Sequence, residues 1–352
     1  MRRQFLHPRG SHPVEEVVGR LGAVKADPQE GAELAIRVRQ TDSEADEVAR
    51  ALDDSRLIKT FAYRGATHLL TPEDASAVLA LRASSRMWEL PSWQSYYELK
   101  PSDWPALLDA AKVALSGEPL TFDEFGAALT AAPRFKHLGF VFRERNWTLI
   151  KAIAWQGVLC FGPGHGRVTL QALERNPRWT GLLEIDDAGE AAIESYLRAY
   201  GPATIDHLRY WLGEGLGAGG RGIKAWLAGL EDRVTMVDVE GDAALLMSDD
   251  VDALTASQAS REIRLLPPFD QWVIGPGTAD ANVVPPAKRS LISRGANVVI
   301  EGGRVSGTWS LADDLLKVTW FGERGAPSAK EIHDEAERLA GILARPLNTR
   351  IE

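Results

Sequence analysis

The sequence predicts a mixed α and β protein, with three tandem winged helix-turn-helix modules and a C-terminal β-barrel-like domain that ends in a closing helix. The first observation is repetition: three times, segments with helical apolar spacing precede two short strands around a glycine-containing turn. The second is a change near residue 261, after which strand-like segments alternate with glycine turns. We therefore expect domains at residues 1–95, 96–180, 181–258 and 259–352.

The first predicted helix, in residues 13–26, leads into an unusual pair of charges. Its buried face consists of apolar residues at helical spacing, namely Val14, Val17, Val18, Leu21 and Val24. Lys25 and Asp27 follow directly, one residue apart, and Pro28 is expected to end the helix. A lysine at the negative end of the helix dipole and an aspartate opening a turn would also make an ordinary solvated helix end. The pair therefore has both a structural and a functional interpretation.

The remainder of the first module reads as two more helices and a hairpin. Helical segments are predicted near 30–39 and 43–54, and "LIKTFAYRGATHLL" reads as two strands around Gly65. Thr71 is a suitable N-cap for the next helix, and Pro72 suits its first position.

The second and third modules repeat this order. In the second, "PSDWPALLDAAKVAL", a short helix capped by Thr121 and "RERNWTLIKAIAWQG", ended by Gly157, precede the predicted hairpin "VLCFGPGHGRVTL". In the third, "AAIESYLRAYG", a helix capped by Thr204 and "GIKAWLAGL" precede the predicted hairpin "VTMVDVEGDAALLM", which turns at 240–242. The last domain contains the strand-rich segments "EIRLLPPFDQWVIG", "ANVVIEGGRVSGTWSL" and "LLKVTWFG", and "SAKEIHDEAERLAGILA" supplies the closing helix.

Composition excludes several classes of protein. The 352 residues are 45% hydrophobic and 25% charged, which is typical of soluble globular proteins. The single cysteine, Cys160, excludes a disulfide scaffold and a cysteine-rich zinc site. The basic start "MRRQFLHPRG" lacks a following apolar run, so no signal peptide is predicted, and no run is long enough for a membrane span. We expect a cytoplasmic monomer.

The sequence lacks the motifs of nucleotide-binding proteins, metalloenzymes and serine hydrolases. "FGPGHG" and "GLGAGGRG" lack the Gly-Lys-Ser/Thr of a phosphate-binding loop and read as turns. The histidines show no metal-ligand spacing, and no Gly-x-Ser-x-Gly elbow occurs. We therefore predict no metal and no cofactor.

The charge is acidic overall but unevenly distributed. A net charge of −9 counts against a protein that wraps nucleic acid over its whole surface. Cations are nevertheless concentrated in residues 134–151, at the N-terminus and in residues 288–294: Arg134, Lys136, Arg143, Arg145 and Lys151; Arg2, Arg3 and Arg9; Lys288, Arg289 and Arg294. An ordinary solvated helical surface would account for them equally well. A winged helix is most often a DNA reader, although the fold also serves as a scaffold.

Four strings in order resemble one known family. They are "YRGATHLLTPED", "RAYGPATIDHLRYWLG", "LLPPFDQWVIG" and "NVVIEGGRVSGTW". Together they resemble the winged-helix DNA glycosylases that excise bulky N7-alkylated purines and unhook interstrand crosslinks. The resemblance extends over about residues 14–345. It implies double-stranded DNA, alkylated or crosslinked, as the partner.

The resemblance also implies where the catalytic residues lie. The family motif is Gln-x-Gln or Gln-x-Asp within "VQAQDP", and the equivalent stretch here is "VKADP". Asp27 matches the last motif position, whereas Lys25 replaces the first glutamine. The family's Arg-Gly-Thr-x-His string falls on Arg64, Gly65 and His68, with Ala66 in place of the threonine.

A carboxylate at position 27 suits the implied chemistry. An N7-alkylpurine is a cationic leaving group, so catalysis needs a stabilised oxocarbenium-like sugar and a water aimed at C1′, and a carboxylate serves both. Lys25 would pair with Asp27, hold a phosphate, or attack C1′ itself if its pKa were depressed by burial.

DNA contacts are expected from the wing and the cationic segments. The candidates are Arg64, His68, Arg134, Lys136, Arg143, Arg145, Lys151, Lys288 and Arg289. Arginine forks bind phosphate oxygens well, whereas His68 suits a structural role equally. Asp270 and Trp272 are expected to face the same cleft as Asp27, and Phe269 to lie in the core.

These observations leave three functions open. The first is a metal-independent DNA glycosylase for bulky N7-alkylpurines or crosslinks. The second is a DNA-binding protein with impaired catalysis that binds or shields lesions. The third is a scaffold without a DNA role, which the acidic net charge permits.

Overall fold

A computed structural model describes residues 1–163, 166–323 and 325–352. The chain folds into two compact units, each assembled from separated stretches. Unit 1 comprises Met1–Val48, Glu194–Trp211 and Leu230–Glu352, and unit 2 comprises Ala49–Ile193 and Leu212–Gly229. The structure confirms a mixed α and β fold, while the winged-helix modules and the four domain boundaries stay predictions.

The first helix is shorter than the sequence predicted. Helix α1 is Val14–Leu21, and it ends because Gly22 adopts a left-handed conformation with φ 73°. Residues 24 and 25 then form strand β1, Val24–Lys25, before helix α2, Gln29–Arg37. Pro28 therefore precedes α2 as its N-cap and does not end α1. The interpretation of Lys25 and Asp27 as a helix C-terminus is wrong.

The predicted hairpin around Gly65 is confirmed. Helix α3, Glu47–Asp53, precedes strands β2, Ile58–Phe61, and β3, Thr67–Leu70, which pair antiparallel. Helix α4, Pro72–Ser84, begins as predicted, because the Thr71 side chain accepts a hydrogen bond from the amide of Asp74. Helix α5, Pro91–Tyr97, follows.

The second repeat contains α6, Trp104–Ala114, β4, Leu120–Thr121, α7, Phe122–Thr130, α8, Gly139–Arg143, α9, Thr148–Trp155, β5, Leu159–Gly162, and β6, Thr169–Ala172. Thr121 caps α7 as predicted. The single helix predicted from Arg143 is interrupted, since Arg145 has a left-handed φ of 50°. Strand β6 pairs antiparallel with β4 and β5. Part of the predicted turn, Gly164 and His165, lies outside the described residues.

The third repeat contains α10, Ile185–Tyr200, α11, Ile205–Leu208, α12, Gly220–Gly229, and the antiparallel strands β7, Val234–Val239, and β8, Asp242–Met247. Thr204 caps α11 as predicted. Glu240 and Gly241 both have positive φ, as the tight hairpin turn requires. Helix α13, Val251–Thr255, leads to the last segment.

The C-terminal segment forms an open five-stranded sheet, which corresponds to a half-barrel. Its elements are β9, Ile263–Leu266, α14, Gln271–Ile274, α15, Arg289–Ser293, β10, Asn297–Glu301, β11, Arg304–Ala312, β12, Leu315–Trp320, α16, Ala329–Leu343, and β13, Asn348–Ile351. The strand order is β13-β12-β11-β10-β9; β12 and β13 pair parallel, and the other neighbours in this sheet pair antiparallel. The predicted closing helix is α16.

Alternation along the sheet strands separates two hydrophobic cores. Val299 of β10 packs with Leu265 of β9 and with Leu339 of α16. The neighbouring residue Val298 packs with Leu266, together with side chains from the N-terminal segment such as Leu6. Successive strand residues point to opposite faces, so each face of the sheet has its own core.

Candidate active site

The predicted motif residues do not lie on a helix: Lys25 is in a short strand and Asp27 is in the bend before α2. Lys25 is the last residue of β1, and Asp27 precedes Pro28 across a cis peptide bond. Ala26, between them, is buried, whereas Lys25 is half-buried and Asp27 is exposed. The left-handed Gly22 ends α1 before Val24, so that β1 and the bend can form ahead of α2.

The Lys25 ammonium contacts a backbone oxygen and an aromatic ring. Its Nζ donates a hydrogen bond to the backbone oxygen of Asp27 at 2.7 Å, and it lies 4.3 Å from the centroid of the Phe269 ring. Burial lowers the pKa of Lys25, and the negative charge of Asp27 acts in the opposite direction. The ammonium is bound to the backbone oxygen of Asp27 and forms no salt bridge with the Asp27 carboxylate.

The Asp27 carboxylate makes no hydrogen bond or salt bridge with any described part of the chain. Its negative charge opposes the lowering of the Lys25 pKa, although the carboxylate and the ammonium form no salt bridge. An exposed carboxylate of this kind has its oxygens available to accept a proton from water or to face a developing positive charge.

A buried ion pair fixes the segment that carries Phe269. The Arg39 guanidinium binds both carboxylate oxygens of Asp270, at 2.7 and 2.8 Å, and both side chains are 0% exposed. The Asp270 carboxylate also accepts a hydrogen bond from the Trp272 amide at 2.8 Å. The expectation that Asp270 faces a cleft is wrong, because its carboxylate is buried and bound by Arg39.

Phe269 and Trp272 also differ in part from the expectation. Phe269 is only half-buried, with a left-handed φ of 57°, so its placement in the core is wrong. Trp272 is likewise half-buried, and its indole Nε1 donates to the backbone oxygen of Gly303 at 2.6 Å. A Cβ atom at Gly295 would lie 2.6 Å from the Phe269 ring, so only glycine leaves room for that ring.

Tyr200 connects the end of α1 with α14. Its hydroxyl donates to the backbone oxygen of Leu21 at 2.9 Å. Its ring packs so closely on Gly275 that a Cβ atom there would lie 2.0 Å away. Sequence reasoning missed Arg39 and Tyr200 because neither has a local signal, although Tyr200 lies within the string "RAYGPATIDHLRYWLG".

Arg64 and His68, in the β2–β3 hairpin, have different surroundings. Arg64 is exposed at the hairpin turn with a left-handed φ of 52°. His68 is 2% exposed, and its Nδ1 lies 2.9 Å from the backbone oxygen of Ala66. In this structure His68 therefore contacts protein, not solvent. Lys151 lies against the same turn, with its Nζ 5.4 Å from the Phe61 ring centroid and close to Gly65.

The cations of the 134–151 segment are of two kinds. Arg134 binds Asp103 at 2.6 Å, and Arg145 binds Asp123 at 3.0 Å. Lys136 and Arg143 are exposed and form no salt bridge with a described residue. The second pair therefore presents positive charge that no salt bridge within the described part of the chain neutralises.

The second cationic cluster lies in unit 1. The Nζ of Lys288 is 4.5 Å from the Phe321 ring centroid, and Arg289 is exposed at the start of α15. Within the described ranges, no three His, Cys, Asp or Glu residues are placed to hold a metal ion. None of the described helices is long and apolar enough to cross a membrane.

Comparisons with known proteins agree with the sequence resemblance. The family described as "DNA glycosylase AlkZ-like" matches residues 18–342. An interstrand DNA cross-link repair glycosylase of Streptomyces sahachiroi is 37% identical over 347 residues, which are 97% of this chain and 93% of that protein. The solved structure of the DNA glycosylase AlkZ of Streptomyces sahachiroi superposes with a TM-score of 0.95 at 35% identity, covering 100% of this chain and 97% of that one. The chain therefore belongs to the AlkZ-like DNA glycosylase family.

Proposed function

We propose that this protein is a DNA glycosylase that hydrolyses the N-glycosidic bond of bulky N7-alkylpurines, including purines joined in an interstrand crosslink. The observation that carries the proposal is the Asp27 carboxylate, which is exposed at the last position of the family motif and bound to no other described residue. The relative from Streptomyces sahachiroi, described as an interstrand DNA cross-link repair glycosylase, supports the substrate class.

The leaving purine needs no protonation before the glycosidic bond breaks. N7 alkylation places a positive charge on the purine, so breaking the C1′–N9 bond returns the bonding electrons to a cation and releases a neutral base. The developing charge is on the sugar, where Asp27 would stabilise it and accept a proton from the attacking water. These steps use water and a protein carboxylate.

The cationic side chains would hold the duplex. We assign this role to Arg64, Arg134, Lys136, Arg143, Arg145, Lys151, Lys288 and Arg289. His68, which is buried, would support the wing and contact DNA only if the turn rearranges. We further propose that the protein acts as a monomer in the cytoplasm.

Replacing Asp27 tests the proposal directly. Wild-type protein incubated with duplex DNA that carries an N7-alkylguanine should create abasic sites, which alkali converts to strand breaks. Asp27→Asn should reduce the rate by about a hundredfold or more, because an amide is neither a base nor a counter-charge. Duplex binding should persist, since Asp27 contributes no attraction to phosphate. Equal rates for the two proteins would refute the assignment.

A second candidate function is lesion binding with impaired catalysis. The observation that favours it is the Lys25 ammonium, which occupies the first motif position and repels a nearby cationic sugar and base. Lys25→Gln then decides between the two functions. Increased excision indicates that Lys25 impairs the reaction, whereas abolished excision together with borohydride trapping of wild-type protein on DNA indicates that Lys25 attacks C1′.

A further inference from the structure

We infer that Phe269 is the surface on which this protein receives the positively charged purine, and that Lys25 occupies that surface until DNA binds. The inference rests on the proposed function, since it concerns how the protein distinguishes a cationic purine lesion from a neutral base. It adds a specificity-determining residue that the motif at 25–27 does not contain.

The first observation is that the Phe269 ring already holds a cation. Lys25 Nζ lies 4.3 Å from its centroid, within the distance at which the negative face of an aromatic ring attracts positive charge. The ring is half-buried, so part of it faces solvent. An N7-alkylpurine is itself a flat cation, and it would gain the same attraction together with stacking area.

The second observation is that Phe269 has a left-handed backbone conformation, which determines where its ring lies. Phe269 has φ 57°, a region that residues with a Cβ atom adopt rarely and that recurs at ligand sites. The next residue, Asp270, is held by the buried Arg39 and by the Trp272 amide, which fixes this conformation. Gly295 supplies the space for the ring.

The third observation is that Lys25 links the Phe269 ring to the backbone of Asp27, the residue that carries the carboxylate. The Lys25 ammonium contacts the Phe269 ring and donates to the backbone oxygen of Asp27. One flexible side chain thus spans from the aromatic face to the residue whose carboxylate would face the sugar. Other rings in the chain also carry cations, for example Phe321 with Lys288, but that ring has no such connection to the motif.

Competition between the two cations follows from this arrangement. Two positive charges repel each other on one ring, so a cationic purine binds only as Lys25 withdraws. A neutral purine gains no comparable electrostatic attraction from the ring and displaces Lys25 less readily. Phe269 would therefore select for charge, in addition to any selection for the size of the alkyl group. The repulsion from Lys25 would reduce that preference.

A matched pair of duplexes measures this selection. Both carry a 2′-fluoroarabino sugar at the test position, which stabilises the glycosidic bond. One contains N7-methylguanine, which is cationic, and the other contains 7-methyl-7-deazaguanine, which has nearly the same shape and is neutral. Wild-type protein should bind the cationic duplex about two- to thirtyfold more tightly, the range of a single cation–π contact.

Substitutions assign the preference to the ring. Phe269→Leu should bring the ratio of the two Kd values close to one, whereas Phe269→Tyr, which keeps the aromatic face, should retain it. Phe321→Leu removes a ring that also carries a lysine, and should leave the ratio unchanged. Lys25→Met should increase the ratio, because the purine no longer displaces an ammonium group. If Phe269→Leu does not fold, the ratios of the two Kd values for Phe269→Tyr and Lys25→Met still test whether Phe269 selects for charge.

The outcomes separate this inference from the proposed function. The role of Phe269 is overturned by any of three results for the ratio of the two Kd values. The wild-type ratio is near one, Phe269→Leu retains the wild-type ratio, or Lys25→Met does not increase it. Absence of abasic sites on hydrolysable N7-alkylated DNA, together with a ratio that depends on Phe269, overturns the glycosylase activity and leaves charge recognition in place. Absence of any duplex binding overturns both.

Discussion

Asp270 and Arg39 are separated by 231 positions in the chain, yet each satisfies the charge of the other in a site without solvent. Two charges removed from water are tolerated when they compensate each other with good geometry, and the bidentate contact provides that. Asp270 therefore presents no carboxylate to a ligand. Its influence on the site is positional, through the backbone that carries Phe269.

Asp270→Ala should lower the free energy of unfolding by about 3–5 kcal/mol, because it leaves the Arg39 charge buried and uncompensated. Urea unfolding measures the loss. Asp123→Ala is the matched control, since its partner Arg145 is 70% exposed, and it should cost less than about 1 kcal/mol. Similar losses for the two variants would contradict the account of the buried pair.

At the scale of elements, the end of α1 decides where the motif residues lie. Gly22 has φ 73°, and its amide bonds to the backbone oxygen of Gly19, which closes the helix. A Cβ atom at position 22 would lie 2.9 Å from the Ser195 Oγ of α10. Both the backbone conformation and this close approach favour glycine, so the path of the chain into β1 and the bend at Asp27 depends on this residue.

Gly22→Ala should destabilise the protein by about 1–2 kcal/mol from the left-handed backbone alone, with a further loss from the contact with Ser195. Ser195→Ala removes the oxygen, so the double variant should recover the second part and not the first. A double-mutant cycle by urea unfolding measures this coupling. Strict additivity would show that Ser195 does not restrict position 22.

At the scale of the whole molecule, the acidic net charge of −9 and the proposed DNA substrate have opposite electrostatic tendencies. Binding then depends on cations that keep their charge available to phosphate. Arg134 and Arg145 are partly neutralised by Asp103 and Asp123, whereas Lys136 and Arg143 have no such carboxylate among the described residues. Local charge, and not net charge, decides affinity for DNA.

Duplex binding should be weak and fall steeply with salt. Replacing Lys136 and Arg143 together by Gln should reduce the slope of log K against log salt concentration by about 2, roughly 0.9 for each phosphate that the protein no longer neutralises. Replacing Arg134 and Arg145 together should reduce it less. Titrations of a labelled duplex at several salt concentrations measure both slopes. Equal reductions would refute the distinction between the two pairs.

The sequence by itself determined the features that depend on neighbouring residues. Thr71, Thr121 and Thr204 cap helices where predicted, because a capping hydroxyl binds an amide only three positions away. The hairpin around Gly65 follows from strand-forming runs on either side of a turn residue. The family resemblance likewise rests on short strings, and it implies that Asp27 is a catalytic residue.

Only the tertiary structure decided what surrounds that position. Helical spacing carried the predicted α1 through Val24, since an apolar residue at the next turn looks the same in a helix and in a short buried strand. The Arg39–Asp270 pair and the placement of Lys25 over Phe269 join segments more than 200 residues apart. Partners of this kind are selected by how distant segments pack, and packing is a property of the folded chain that no local pattern encodes.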